Sequence, residues 1–345
     1  MLYFINFLLI VFSGFYLTGI LNISPIYFTT ILAMILILIN ILYRKKIFFN
    51  KITIISIIII GYILIINEKN KIQYNRTFSY IFNYIYIILI QQSIFLIKKD
   101  QLKKIVNYFF KFNLLLLVLE LLIRLINIKN FDFSKFNGNK LLYYYSLKFN
   151  SIMYMDTNFM GMFILVILML AVYLKLKNLN ILLLKIIFLF TFCKAAIGVY
   201  FLRNIKKYWL ATVPILMIVV IIVIKDPYSL LVRFYILNKY IDFLSNANLS
   251  KILFGVGLGN SLEAIGIGAH NILITNFLEL GVFGSIFNFI LWYLIYKEDS
   301  KTLFILIPFF IAGIIFAPTS TPYLYVACFI IIRMENKRNY IEKNM

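Results

Sequence analysis

Long apolar runs, separated by short charged or turn-rich segments, make up most of the 345 residues. Runs such as ITIISIIIIGYILII (52–66) and LFILIPFFIAGIIFA (303–317) approach the roughly 20 apolar residues that cross a bilayer core. The pattern predicts an all-α, polytopic membrane protein with about twelve transmembrane helices. We expect these spans near 2–20, 24–43, 52–66, 77–97, 105–126, 159–174, 181–193, 195–202, 208–224, 271–295, 302–317 and 321–332.

The seventh and eighth predicted spans are short and separate around Cys193 and Lys194. A single straight helix over 181–202 would reduce the total to eleven and would move every later segment to the other side of the membrane. The basic run after Arg203 would then lie outside, whereas Lys and Arg prefer cytoplasmic loops. Two short helices are therefore favoured, and both termini are expected in the cytoplasm.

Composition supports one integral membrane domain over 1–345. Hydrophobic residues make up 63% of the chain and charged residues 14%, outside the range of soluble domains. The net charge of +21 would suggest a nucleic-acid surface in a soluble protein. Here the basic residues lie between apolar runs, so we expect the lipid bilayer as a partner and no nucleic acid. The first run lacks a basic n-region and a cleavage site, which predicts a retained span.

Two polar stretches are long enough to leave the membrane: a first outer loop at 127–157 and a second at 225–270. No GxxxxGK[ST] or GxGxxG motif accompanies the short cytoplasmic loops, so nucleotide chemistry is not expected there. The glycines at 255, 257 and 259 are interpreted as a flexible turn. Outer acidic residues form no Asp-x-Asp pair or cluster with histidine, and Cys193 and Cys328 have no paired spacing. We therefore expect neither a metal nor a cofactor.

His270 is the only histidine in the chain, so any imidazole chemistry depends on it. It precedes Asn271, a predicted N-cap of the helix that begins at Ile272. The positive end of a helix dipole disfavours imidazolium, so we expect a neutral ring that can accept a proton. The alternative is an interfacial histidine that only contacts solvent.

Four stretches of the second half form an ordered pattern: YMDTNFMGM (154–162), TFCKAAIGVYF (191–201), LFGVGLGN (253–260) and HNILITNFLELGVFG (270–284). In the last stretch, His270-Asn271 is followed by nine residues, Gly281, two residues and Gly284. Together these stretches resemble the O-antigen polymerase (Wzy-type) and O-antigen ligase superfamily of bacterial inner-membrane glycosyltransferases. The resemblance covers about 150–295, and the first half of the chain matches only in hydropathy.

The resemblance implies a metal-independent polymerase that joins oligosaccharide repeat units linked to undecaprenyl diphosphate. It would act on the outer face of the bacterial inner membrane and produce O-antigen, capsule or exopolysaccharide, and a chain-length regulator is a candidate partner. His270 corresponds to the general base, and Arg233 stands where the family has an arginine that stabilises the diphosphate. Lys194 replaces the arginine of a Ser-Arg segment and keeps the charge without the guanidinium fork. It is a further candidate for contact with the diphosphate, and the alternative is a side chain that only reaches to the membrane interface.

Four further residues are candidates for substrate binding: Asn271, Asp156, Asn158 and Glu279. Helix capping alone would explain Asp156 and Asn158, which precede the span at 159. Glu279 lies within a predicted span, where an ionisable group needs a partner, so a structural role is the alternative.

The segment 226–246 has apolar residues at helical spacing and is expected to lie along the membrane surface. Such a helix would hold Arg233 at headgroup depth. The apolar positions are Leu230, Phe234, Leu237, Ile241 and Leu244.

Three alternatives remain open. An O-antigen ligase would use the same donor and transfer the glycan to a lipid A core. A protein oligosaccharyltransferase is similar but commonly carries a large additional C-terminal region. A transporter or flippase of lipid-linked sugars would also be a basic polytopic protein, although transporters usually contain related halves and the sequence contains no internal repeat.

Overall fold

A computed structural model describes residues 1–44, 49–69, 73–127, 151–154, 156–176, 179–203, 228–315, 318 and 321–335. Within these ranges the regular elements are helices and no strand forms, as the apolar pattern predicts. The helices are α1 (Leu2–Val11), α2 (Pro25–Arg44), α3 (Lys51–Lys69), α4 (Tyr74–Ile94), α5 (Lys99–Asn127), α6 (Thr157–Tyr173), α7 (Leu179–Leu189), α8 (Lys194–Arg203), α9 (Tyr228–Asn246), α10 (Leu249–Phe254), α11 (Ser261–Ile265), α12 (Ile272–Glu298), α13 (Leu303–Gly313) and α14 (Pro322–Glu335).

Three helices in the described part of the chain are both long and apolar enough to cross a membrane: Pro25–Tyr43, Lys51–Glu68 and Ile272–Glu298. Shorter apolar helices occur at Leu2–Val11, Thr157–Tyr173, Leu179–Leu189 and Ser300–Gly313. These helices indicate a membrane protein. The predicted span 208–224 lies outside the described residues, as does most of the predicted loop 127–157.

Helix α1 is much shorter than the predicted span 2–20. The chain turns after Val11, where the Ser13 hydroxyl donates to the carbonyl oxygen of Ile10 (3.0 Å). Gly14 then lies against the ring of Phe163, where a Cβ atom would come within 2.2 Å of the ring. Of the apolar residues that follow, Tyr16 is buried, whereas Ile20 is 58% exposed and lies in a turn. Hydropathy alone does not separate such residues from a continuing span.

Contacts between helix termini define two ends of the bundle. At one end, Lys99 donates to the carbonyl oxygen of Met334 (2.7 Å) and Lys301 forms an ion pair with Glu335. Met1 lies at the same end, beside the start of α5. We call this the basic end because many Lys and Arg residues lie there: Lys51, Lys98, Lys99, Lys103, Lys104, Lys297, Lys301 and Arg333. The opposite end, where α4, α6 and α12 begin, is called the site end.

The chain reverses between α7 and α8. Cys193 lies against Gly161, near the site end of α6. At the other end of α8, Arg203 lies over the ring of Phe304, which packs on Tyr173, the last residue of α6. Because α7 begins soon after α6 ends, the start of α7 lies at the basic end, as does the end of α8. Two short helices therefore form, as the sequence predicts, and the break lies at 190–193.

A buried ion pair supports this reversal. Arg124 and Glu120, one turn apart on α5, have fully buried side chains and a separation of 2.9 Å between Nε and Oε1. Arg124 also donates from Nη1 to the carbonyl oxygen of Phe190 (3.0 Å), a group that the helix break leaves without a helical partner. The pair thus links α5 to the turn between α7 and α8.

Replacing Arg124 with methionine is expected to destabilise the protein by about 3–5 kcal/mol, because the carboxylate of Glu120 stays buried without its cation. The double variant Glu120→Gln/Arg124→Met should recover much of that loss. Thermal unfolding in detergent measures both. The control is Lys103→Met, which breaks an exposed ion pair with Asp100 and should cost less than about 1 kcal/mol. Equal stability of the single and double variants would show that the charge pair does not carry the effect.

Candidate functional site

Helix α12 is broken at Gly281, whose backbone angles (φ 66°, ψ −169°) are not helical. A break inside a membrane span frees carbonyl groups that must find other donors. They find them in the loop after α10 and in α3: Val256 N donates to Leu278 O (2.8 Å), Gly257 N to Glu279 O (3.1 Å) and Tyr62 Oη to Leu280 O (2.7 Å).

The glycines of the two motifs near the site make this packing possible. A Cβ atom on Gly281 would lie 2.4 Å from the backbone nitrogen of Gly255. A Cβ atom on Gly284 would lie 2.6 Å from the ring of Tyr62. The glycines at 255, 257 and 259 all have positive φ. The expected flexible turn is therefore a docked loop, because its N–H groups bond to the broken helix.

A cavity of about 370 Å³ lies at the site end, where the N-terminal ends of α4, α6 and α12 meet. Its wall also includes the loop and short helix before His270. The described lining residues are Gln73, Arg76, Asp156, Phe159, Gly259, Ser261, Leu262, Gly268, Ala269, His270 and Thr275. Two residues that the sequence singles out, Asp156 and His270, are therefore brought together.

His270 has a solvent-exposed side chain and a backbone φ of +43°, in the left-handed region. This conformation is unfavourable for most residues with a Cβ atom and is tolerated best by glycine and asparagine. The next residue, Asn271, begins α12 as predicted: its side-chain oxygen accepts from the N–H groups of Leu273 (2.9 Å) and Ile274 (3.2 Å). Capping thus accounts for Asn271, and the turn before the cap presents the imidazole to the cavity.

Asp156 is the N-cap of α6, as capping preferences predict. One carboxylate oxygen accepts from the N–H group of Asn158 (2.8 Å), and the other accepts from the Asn158 side-chain amide (3.3 Å). Both residues therefore have a structural role at the helix start. Asp156 additionally lines the cavity, whereas Asn158 is not among the lining residues.

Glu279 is fully buried below the cavity. The hydroxyl of Ser261 donates to its Oε1 (2.8 Å), and the guanidinium of Arg76 is close enough to attract the carboxylate. The structural role that the sequence suggests for Glu279 is consistent with these contacts. Glu279 does not line the cavity but accepts a hydrogen bond from Ser261, which does.

Arg76 is the main site residue that the sequence pattern does not reveal. It lies in the first turn of α4, is half-buried, and packs against Gly259, where a Cβ atom would come within 2.9 Å of the arginine Cγ. Its position after a polar segment between two spans was a usable signal. That signal is weak because Lys and Arg follow most apolar runs in this chain.

Arg233 and Lys194 are not among the described residues that line the cavity. Arg233 lies on the exposed side of α9, and neighbouring protein atoms lower its pKa from the ordinary value by desolvation. Lys194 is exposed at the N-terminus of α8. Within the cavity, the structure thus brings His270 together with Arg76, and Arg233 lies outside it.

Helix α9 packs on the protein through a face other than the predicted apolar stripe. Its buried contacts run through Val232, Ile236, Tyr240 and Phe243, which pack on α11, α12 and the turn before His270. The predicted stripe stays exposed at Phe234, Leu237, Ile241 and Leu244. The helix therefore has one apolar face against the protein and a second apolar face open to its surroundings.

The site is suited to an anionic ligand beside a proton acceptor. Helix N-termini carry partial positive charge, and three such ends meet here together with the guanidinium of Arg76. Asp156 and Asn271 already accept from N–H groups at two of these ends, so Arg76 is the main group that attracts an anion. Arginine binds phosphate oxygens through a planar fork. Within the described residues, no group of three or more His, Cys, Asp or Glu side chains could hold a metal ion.

Comparison of the chain with protein-family models, with curated proteins and with solved structures finds no match.

Proposed function

We propose that this protein is a membrane glycosyltransferase that polymerises undecaprenyl-diphosphate-linked repeat units on the outer face of the bacterial inner membrane. One observation carries the proposal: the only histidine of the chain and an arginine line one cavity at the end of the bundle opposite the basic end. The order of the four motifs in 154–284 supports the same class of enzyme.

The reaction requires a base and a stabilised leaving group. A sugar hydroxyl of the acceptor attacks the anomeric carbon of the donor, and a new glycosidic C–O bond forms. The bond from that carbon to the diphosphate oxygen breaks, and its electron pair leaves with the diphosphate. His270 takes the hydroxyl proton. Arg76, together with the helix N-termini around it, stabilises the charge that grows on the diphosphate.

The proposed topology has about twelve membrane segments, and the short pair α7 and α8 enters and leaves on the cytoplasmic side. The concentration of Lys and Arg at the basic end, which includes Met1 and Glu335, favours the cytoplasm for that end. The cavity would then open toward the outer headgroup layer, where an exported lipid-linked glycan is available.

Arg233 has a different proposed role from the one that the motif order suggests. The exposed apolar stripe of α9 fits the surface of a bilayer, and Arg233 lies beside Phe234 on the exposed side. There it would attract anionic headgroups toward the cavity without touching the diphosphate during transfer.

The proposal is tested with purified protein in liposomes and lipid-linked oligosaccharides extracted from source cells that lack the protein. Wild-type protein should convert single repeats into a ladder of longer lipid-linked products without added metal or nucleotide. Products that form only when a lipid A core acceptor is added would indicate a ligase. If the single repeats remain unchanged although the liposomes contain folded protein in both membrane orientations, the proposed activity is overturned.

Arg76→Lys should lower the turnover number by about tenfold or more, because lysine keeps the charge but loses the bidentate fork. Arg233→Lys should change turnover less than threefold or so, since Arg233 lies outside the cavity. Ladder formation in liposomes at saturating donor measures both variants. A larger loss of turnover in Arg233→Lys than in Arg76→Lys would indicate that Arg233, rather than Arg76, contacts the diphosphate.

A further inference from the structure

An apolar groove of about 420 Å³ runs between α12 and α13 on the outer surface of the bundle. Its upper part is formed by Ile272 and Leu273 in the first turn of α12, and its lower part reaches Tyr296 and Leu303 near the basic end. Trp292 and Phe310, which both line it, are in direct ring contact, with centroids 4.2 Å apart. The groove thus extends along most of the length of α13.

The groove and the cavity share the first turn of α12. His270 and Thr275 line the cavity, whereas Ile272 and Leu273 line the groove. A molecule with an anionic head in the cavity therefore has an apolar channel directly beside it, on the lipid-facing side of the same helix.

We propose that this groove holds the polyprenyl tail of the lipid-linked substrate, an inference that rests on the proposed function. Ordinary acyl chains are abundant in the bilayer, so an apolar groove alone would not select a tail. A tail whose diphosphate is bound in the cavity is present at a high effective concentration, and this favours it over bulk lipid. Aromatic side chains have only two χ angles each, so they give the groove a well-defined shape that a methyl-branched isoprenoid can fill.

The matched variants are Ile307→Trp, which fills the groove, and Ile57→Trp, which adds the same bulk to the surface of α3. The two isoleucines have the same exposed fraction, 46%. With undecaprenyl donor, Ile307→Trp should raise KM by roughly tenfold, the effect of withdrawing about two CH2 groups from an apolar site. When the same oligosaccharide is carried on geranyl diphosphate, whose tail is too short to fill the groove, Ile307→Trp should have the same KM as wild type. Ile57→Trp should match wild type with both donors.

Photocrosslinking provides a readout that does not need turnover. Undecaprenyl phosphate that carries a benzophenone on its isoprenoid tail should label peptides of α12 and α13. Ile307→Trp should reduce that labelling severalfold, whereas Ile57→Trp should leave it unchanged. The labelling is then repeated with an excess of either phosphatidylglycerol or unlabelled undecaprenyl phosphate as competitor. If both competitors reduce the labelling equally, ordinary acyl chains fill the groove and the inference is overturned. If labelling is as expected but no donor is turned over, the proposed function fails while the tail site stands.

Discussion

His270→Asn is expected to lower the turnover number of the proposed polymerisation by about a hundredfold or more, because the acceptor hydroxyl would lose its proposed general base. Asparagine suits the test since it tolerates the left-handed backbone that His270 adopts at φ +43°. The KM for the donor should change little, because Arg76, the proposed diphosphate ligand, remains. The measurement is the initial rate of ladder formation in liposomes at saturating donor.

Two controls separate lost chemistry from lost structure. The thermal unfolding midpoint of His270→Asn should stay close to that of wild type. Addition of imidazole should restore part of the activity of His270→Gly, which opens space for the free base at the same position. If His270→Asn forms the ladder at the wild-type rate, the imidazole of His270 is not the general base.

Gly281→Ala is expected to prevent accumulation of folded protein. A Cβ atom at this position would come within 2.4 Å of both the backbone nitrogen of Gly255 and the carbonyl oxygen of Leu253, and the φ of +66° disfavours any side chain. Backbone strain alone costs on the order of 1–3 kcal/mol, and the contacts with rigid backbone add to it. Size-exclusion chromatography of the detergent extract should show loss of the monodisperse peak.

Gly61→Ala is the matched control in another membrane helix. A Cβ atom at Gly61 would meet no other atom within 4 Å, and alanine is the better helix former by about 1 kcal/mol. This variant should be at least as stable as wild type. If Gly281→Ala extracts and unfolds like Gly61→Ala, α12 is continuous at this point and the docked loop does not form.

Sequence pattern predicts the positions of most helices but not which of them reach across the bilayer. The runs that become α2, α3 and α12 are long and apolar. The run at 303–317 is equally apolar, yet α13 ends at Gly313, where Ile272 packs closely against it. Lipid and protein interiors are both apolar, so hydropathy does not distinguish a helix that is shortened by packing from one that spans.

Some residues of the candidate site can be predicted from their neighbours in the sequence, and others depend on contacts with distant parts of the chain. Asn271 and Asp156 are predictable because a helix cap depends only on neighbouring residues. His270 is found because it is unique. Arg76 is missed because its place beside His270 depends on a contact between α4 and a loop almost two hundred residues later. No local pattern encodes such a pairing.

The apolar stripe of α9 illustrates a second limit. Periodicity identifies an amphipathic helix at 226–246, and the structure forms it at Tyr228–Asn246. The pattern alone does not indicate which of two apolar faces packs on the protein. The face through Ile236 does so, because it meets Ile265 and Leu278 around the turn that precedes His270.

The proposed function depends on the side of the membrane on which the cavity opens, and cysteine labelling measures that side. Leu262→Cys places a thiol at an exposed position of the cavity wall, whereas Lys104→Cys places one at the basic end; the native Cys193 and Cys328 are buried. A membrane-impermeant maleimide added to intact spheroplasts should label Leu262→Cys and should label Lys104→Cys only after lysis. The opposite pattern would place His270 and Arg76 in the cytosol, out of reach of an exported lipid-linked donor, and would contradict the proposed function.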